Sequence, residues 1–366
     1  MLNSTMMRAV LWSGIPFNVT VGNYPRPTIQ NSTDVIVRVT AAAICGSDLH
    51  LYRGTRTPPT GPTDPVPIGH EAMGYVAEVG EGVNFLSVGD FVVIPDRTDE
   101  GHLLMEPHSY TAYGSAALPG SQAEYVRVPY ADNGLIPIET TNGTEPLIDY
   151  LFLSDIFPTA WTALDYSGFQ SGDTVAIFGA GPVGQLAIHC AMLRGASKVY
   201  SIDSVPARLE LAASQGAIPI SFNTSDPVAQ ILAYEPNGVR RTVDCVGYEA
   251  VNSSMLPQEN AVLQNMINST SINGGLGVAG VYHVYEPEAY SMPLSLGAIW
   301  AKALKLSSGA VNPMTEAPRL ADLIATGRAR PSFIISANIS IEDAPEYYAR
   351  FEQHRETKVV IQFPMA

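Results

Sequence analysis

From residue 6 to about residue 150 the apolar positions fall in short β-type runs divided by Gly- and Pro-bearing turns. DVIVRVTAAAI, GYVAEVG, GDFVVIP and AEYVRVP are rich in β-branched and aromatic residues, with GEG and SVGD between them. Closely spaced strands with turn signals predict an antiparallel, barrel-like domain. Residues 96–119 show no period and read as a surface excursion. Near residue 156 the rhythm changes. TVAIFGAGPVGQLAIHCAMLRGA is an apolar strand, a glycine turn and a helix-period segment. KVYSIDSVPARLELAASQGA repeats the order, and TVDCVGYEA supplies a third short strand. Such alternation predicts right-handed βαβ units and a parallel sheet. After about residue 308 come a helix (EAPRLADLIATG), a β-type run (FIISANISI), a helix (DAPEYYARFEQ) and a last strand (KVVIQF). The expected class is α/β: a doubly wound parallel sheet at 156–308, set into a mostly β, barrel-like catalytic domain formed by 1–155 and 309–366.

Length agrees, since 366 residues exceed what one ordinary core accommodates. A net charge of −15 without any basic cluster argues against nucleic acid and anionic membrane as partners, which need concentrated Lys and Arg. Three cysteines, at 45, 190 and 245, make no disulfide framework. The stretch MLNSTMMRAVLWSG lacks a basic segment followed by a long apolar run, and no apolar stretch approaches a membrane span. A cytoplasmic location is the expectation.

Gly179, Gly181 and Gly184 spell G-x-G-x-x-G between a strand, Thr174 to Phe178, and a helix-period segment. In that setting the first glycine permits the turn, the second lets backbone approach a pyrophosphate, and the third lets helix and strand pack closely. Pro182 and Val183 then open a helix whose N-terminus offers free N–H groups to phosphate. Asp203 ends the next strand, where a carboxylate binds ribose hydroxyls and repels a 2′-phosphate, favouring NAD(H) over NADP(H). Arg208 reads equally as a ribose or pyrophosphate contact and as a solvated helix residue.

Cys45 (in AAAICGSDLH), His70 and Glu71 (in PIGHEAMG) and Asp155 (in FLSDIFPTAW) are the other residues with chemistry to offer. Each also has an ordinary explanation, as a core thiol, a satisfied buried histidine, or a helix cap. Their separation is not a general zinc spacing, so residue types alone leave both readings open.

Taken together, AAAICGSDLH, PIGHEAMGYVAEVGEGV, VGDFVVIP, GSQAEYVRVPYAD, GAGPVGQLA and DCVGYEA resemble the zinc-dependent medium-chain alcohol dehydrogenases, in order and over nearly the whole chain. SQAEYVRVPYAD, LSDIFPTAW, GVAGVY and DAPEYYARFE are most similar to the glutathione-independent formaldehyde dehydrogenase branch. The resemblance implies the medium-chain dehydrogenase fold and one catalytic zinc per subunit on Cys45, His70 and Asp155. It implies Glu71 as a transient ligand and Asp48 as the acceptor that fixes the His70 tautomer. Ser47 and His50 would be the proton relay from a small alcohol or aldehyde substrate. NAD would lie on the glycine turn, Asp203 and Arg208, with Val246 beside it and Val278 to Val281 near the carboxamide. A homodimer or homotetramer is implied too. Alternatives are an aldehyde dismutase that retains its NAD, with Pro257 to Asn260 in the retaining loop, and a non-catalytic relative acting as a binding protein. Trp161 and Tyr113 are candidate pocket walls. One departure is plain: the 96–119 segment has no cysteine. Asp99, His102, Glu106 and His108 lack the paired thiolates of the family's structural zinc site, which is expected to be missing.

Overall fold

The computed structural model describes residues 5–55, 65–98, 110–115, 117–139, 147–282 and 291–364. Asp99, His102, Glu106 and His108 lie outside these. The chain forms two compact units, 1–158 with 312–366, and 159–311.

In the first unit the strand Val35–Ile44 is central and almost wholly buried. That is why its sequence is continuously apolar and not alternating. Glu71–Val79 pairs with it antiparallel on one side. On the other side Val359–Gln362 covers its C-terminal half and Tyr125–Val128 its N-terminal half, both antiparallel. The register pairs Ala43 with Glu71 and Ile44 with Val359. Cys45, Glu71 and Lys358 therefore stand at one end of three adjacent strands. The sheet is mixed and not purely antiparallel, because Ala337–Ser340 runs parallel to Val359–Gln362. The run FIISANISI is only half strand: Pro331–Ile334 forms a 3-10 turn, since Pro331 fixes φ and donates no ladder bond. Helices Pro313–Ala325 and Ala344–Glu352 flank it in sequence.

The second unit holds a six-stranded sheet in the spatial order Ile218–Ser221, Lys198–Asp203, Thr174–Phe178, Val239–Asp244, Thr270–Val278, Lys305–Ser308. Every pairing is parallel. This is the doubly wound order that begins from the middle and reverses after the third strand. The glycine-rich stretch SINGGLGV belongs to the strand Thr270–Val278. A Cβ on Gly275 would lie 1.9 Å from the Ser167 carbonyl oxygen, and one on Gly277 2.1 Å from that of Ala163. The glycines let neighbouring backbone press onto the sheet. Among the described residues no helix is long and apolar enough to cross a membrane.

Candidate functional site

Cys45 follows the central strand, His70 and Glu71 open its neighbour, and Asp155 sits between the 3-10 helix Leu147–Ser154 and the helix Ile156–Tyr166. One ligand atom from each of the four lies within 4.8 Å of the others. Asp155 Oδ2 is 3.6 Å from Cys45 Sγ and 3.3 Å from His70 Nε2. Zinc bonds of about 2.3 Å to sulfur and about 2.0 Å to nitrogen or oxygen, at tetrahedral angles, require ligand separations of about 3.5 and about 3.3 Å. The donor set fits zinc in type and in spacing. Glu71 adds an oxygen: its Oε2 is buried without a hydrogen-bond partner, a costly state for a carboxylate unless a cation comes to it.

Electrostatics agree. Burial, reinforced by Glu71 and Asp155, pushes the Cys45 thiol up to about 11. Burial alone would lower His70, but Asp48, Asp155 and Cys45 outweigh it and raise the imidazole well above its ordinary range. Burial also raises Glu71, against the pull of Lys358. A cluster in which thiol, imidazole and the Glu71 carboxyl hold their protons tightly is short of positive charge, which a divalent cation supplies.

Around these atoms the chain supplies fixed partners. Asp48 Oδ1 accepts from His70 Nδ1 at 3.1 Å, which leaves Nε2 facing the cluster. Ser47 Oγ is 3.3 Å from Cys45 Sγ and 3.1 Å from His70 Nε2. His50 follows in the short helix Asp48–Arg53 and is buried, not exposed. Lys358, absent from the sequence reading, donates to Glu71 Oε1 at 2.7 Å with both side chains fully buried. The strand register above is its only signal. Asp96 was missed too. It is gripped by Arg97, and burial together with Asp155 raises its carboxyl to about 6. Tyr113 packs into the core of the first unit, and Trp161 lies beneath the Arg194 guanidinium at 4.6 Å.

In the second unit the glycine turn divides its labour. Gly179 has φ +90°, and a Cβ there would come within 2.7 Å of Val246; one on Gly184 would lie 1.8 Å from the Gly179 carbonyl oxygen. Gly181 is different: a Cβ would meet nothing nearer than Arg208 Nη1 at 3.9 Å. Among the described residues nothing requires glycine there, which marks the open side of the turn. The helix Pro182–Leu193 begins at once, with Pro182 and Val183 in its first turn. Asp203 accepts from Ala180 N–H at 2.7 Å and from the N–H groups of Ser204 and Val205. It thereby braces the turn and keeps further acceptor capacity. Arg208 is no solvated helix residue: its side chain is 14% exposed and 3.9 Å from Asp203, and its Nε is buried without a partner. Asp244, unremarked in the sequence, ties two strand-end turns together. Its side chain accepts from Val246 and Gly247 N–H and from Tyr282 hydroxyl, and its carbonyl accepts from Ala279 and Gly280. Val246, Val278 and Val281 are thus held at neighbouring strand ends. Pro257, in the proposed retaining loop, forms an isolated bridge with Val251.

Comparisons with known proteins fall in line with this geometry. Residues 31–140 match the alcohol dehydrogenase GroES-like domain, and residues 182–326 the zinc-binding dehydrogenase domain. The chain is 36% identical over 359 residues to the glutathione-independent formaldehyde dehydrogenase of Bacillus subtilis, covering 89% of this chain and 86% of that one. It is 30% identical over 381 residues to the formaldehyde dismutase of Pseudomonas putida, covering 93% and 94%. Among solved structures, an alcohol dehydrogenase from Thermus sp. ATN1 superposes with a TM-score of 0.84 at 32% identity, covering 97% of this chain and 99% of that one. Sheet order, domain matches and full-length relatives agree: the chain belongs to the zinc-type medium-chain alcohol dehydrogenase family, near its formaldehyde dehydrogenase branch, and is an oxidoreductase whose cofactors are zinc and NAD(H).

Proposed function

We propose that this enzyme interconverts a small alcohol and its aldehyde by hydride exchange with NAD(H), using Cys45, His70 and Asp155 as zinc ligands. The observation that carries the reading is the convergence of thiol, imidazole and two carboxylates within 4.8 Å. Bound zinc supplies a Lewis acid that draws electron density from a substrate oxygen. The remaining work belongs to the chain. Asp48 holds His70 so that its Nε2 faces the cluster. The Ser47 hydroxyl, in contact with two of the proposed ligand atoms, takes the proton a substrate hydroxyl gives up. His50, one helical turn away, passes it on. Lys358 occupies Glu71 Oε1 and leaves Oε2 for the cluster.

NAD(H) is held at the helix N-terminus beside Gly181, with Gly179 and Gly184 shaping the turn. Asp203 takes the ribose hydroxyls, Arg208 supplies positive charge, and Val246, Val278 and Val281 form the apolar side. One equivalent of zinc per chain, together with NAD reduction by short alcohols, is the expected result. A protein that carries no zinc and stays inactive after zinc is added sinks the reading.

The relative named formaldehyde dismutase supports a second reading, dismutation on retained NAD. Heat-denatured protein that releases NAD near one equivalent per chain favours dismutation, and cofactor-free protein rules it out. A homodimer or homotetramer is supported by the edge strand Lys305–Ser308, exposed along its length, and by Leu296 and Trp300 of the preceding helix at 73% and 84% exposure. Unpaired strand edges invite a second copy, so Trp300→Glu lowers the mass measured by light scattering. A cytoplasmic location is supported by three cysteines that remain free thiols, and cell fractionation tests it.

A further inference from the structure

SQAEYVRV and DAPEYYARF carry the branch resemblance but take no part in the chemistry described so far. Their side chains meet behind the metal cluster. Gln122 is fully buried; its Nε2 donates to Ala43 carbonyl at 3.0 Å and to Asp48 Oδ2 at 3.2 Å. Its Oε1 accepts from the Tyr348 hydroxyl at 2.8 Å, and Tyr348 is fully buried as well. Asp48 accepts from the Cys45 N–H at 3.0 Å and from Gln122 on Oδ2, and from His70 Nδ1 on Oδ1 at 3.1 Å.

The bonds run in one direction, from hydroxyl to amide to carboxylate, and the carboxylate accepts from the ring. A flipped amide would set its oxygen against both the Asp48 carboxylate and the Ala43 carbonyl, two acceptors with no proton between them. Tyr348 prevents the flip by donating to Oε1. The hydrocarbon part of Gln122 is clamped as well. Gly69, the residue before His70, has φ +89°, and a Cβ on it would come within 2.4 Å of Gln122 Cγ. The chain has given up a side chain at position 69 to bring Gln122 against the backbone that carries the ligand.

We propose that Gln122 and Tyr348 are positioning residues for His70: the run Tyr348–Gln122–Asp48 holds Asp48 as a pure acceptor and so fixes the ring with its proton on Nδ1 and its Nε2 toward the metal. The inference rests on the reading of His70 as a zinc ligand. Outer partners of a ligating histidine typically alter metal affinity by about 10–100-fold, and here the effect is carried one and two bonds beyond the first partner.

The test uses full-length, zinc-loaded protein and the variants Tyr348→Phe and Gln122→Met. Tyr348→Phe removes one oxygen and keeps the ring, which packs on Tyr52 at 5.6 Å between centroids. Two quantities are read: the rate of zinc transfer to a chromogenic chelator, and the solvent exchange of the nitrogen-coupled His70 Nδ1 proton by NMR. Zinc release accelerates at least about 10-fold in Gln122→Met and several-fold in Tyr348→Phe, with faster Nδ1 proton exchange in both. Tyr52→Phe, which removes a hydroxyl from the ring packed on Tyr348 and leaves the bonded run intact, keeps both at parental values. Folded variants that release zinc within about twofold of the parent, with unchanged exchange, overturn the inference while the ligand assignment stands. A parent that binds no zinc overturns the ligand assignment instead. Should Gln122→Met fail to fold, Tyr348→Phe alone decides.

Discussion

The chemistry proposed for this enzyme rests on two strand ends, and they are built from different material. The glycine turn of the second unit is backbone: its carbonyls and N–H groups pack so tightly that a Cβ on Gly184 would lie 1.8 Å from the Gly179 oxygen. The cluster of the first unit is side chain, gathered from positions 45, 70, 71, 155 and 358 by the accident of which strands are neighbours. A backbone site is written in consecutive residues and fails by intrusion of atoms. A side-chain site is dispersed and fails by imbalance of charge.

The comparison breaks first at Asp155. Asp155→Asn keeps size and loses the anion, leaving one thiolate and one imidazole to hold the metal beside a half-occupied Glu71. Zinc affinity falls by more than the 10–100-fold typical of an outer partner, and alcohol oxidation falls with it. Competition with a chelator of known affinity measures the first, and steady-state kinetics the second. An Asp155→Asn variant that binds zinc like its parent would falsify the charge account of this site. NAD binding, read by fluorescence quenching, is untouched.

Next in size is the ion pair behind the cluster. Lys358→Met leaves Glu71 a buried carboxylate without its cation, and breaking such a pair costs about 3–5 kcal/mol. Denaturant unfolding of the metal-free protein measures it. The double variant Lys358→Met, Glu71→Gln recovers most of that loss because neither buried charge remains. If the double variant is no more stable than Lys358→Met alone, charge imbalance is not the cause.

This contrast also explains what could be read from the chain. The glycine turn was legible because its requirements are local: a positive φ at Gly179, a close approach at Gly184, a helix starting at Pro182. Cys45, His70, Glu71 and Asp155 could be named only through family resemblance, since their spacing reflects strand order and not a local rule. Lys358, Gln122 and Tyr348 were not legible at all. Lysine at a strand's start and glutamine before AEY look like solvated residues until the register sets Val359 opposite Ile44 and the helix Ala344–Glu352 brings Tyr348 onto Gln122. The glycines of SINGGLGV have a packing reason that the sequence does not display. Gly275 and Gly277 lie in the strand Thr270–Val278 and admit the Ser167 and Ala163 backbone against it.

Gly181 sharpens the distinction between the two kinds of site. Its φ of −68° suits alanine, and a Cβ finds open space. Gly181→Ala therefore unfolds at the parental temperature, yet weakens NAD binding about 10-fold, or about 1.4 kcal/mol, because the methyl stands where the pyrophosphate approaches. Gly184→Ala loses stability and NAD binding together. Calorimetric unfolding and NAD titration of the two variants separate packing from ligand approach. Parental NAD affinity in Gly181→Ala removes the pyrophosphate from that side of the turn.

The smallest expected effect is one of pH, and it belongs to the side-chain site alone. In metal-free protein His70 holds its proton more tightly than its ordinary 6.5. Its stabilising contribution is complete below that value and is lost as pH rises through the higher folded one. Cys45 acts in the same sense at higher pH: its thiol shifts from 9.0 to about 11, so the folded state resists the deprotonation that the unfolded chain undergoes. Metal-free protein thus becomes less stable from neutral pH upward. Zinc-loaded protein goes the other way, because the ligands must shed protons to bind and the unfolded chain then holds more of them. Thermal unfolding with and without chelator at pH 6, 7, 8 and 9 gives curves that separate by a few degrees as pH rises, since about 1 kcal/mol moves the midpoint by only about 2–4 °C in a unit of about 150–250 residues. Parallel curves would mean that the cluster binds its metal without releasing protons, and that thiol and imidazole are not the ligands.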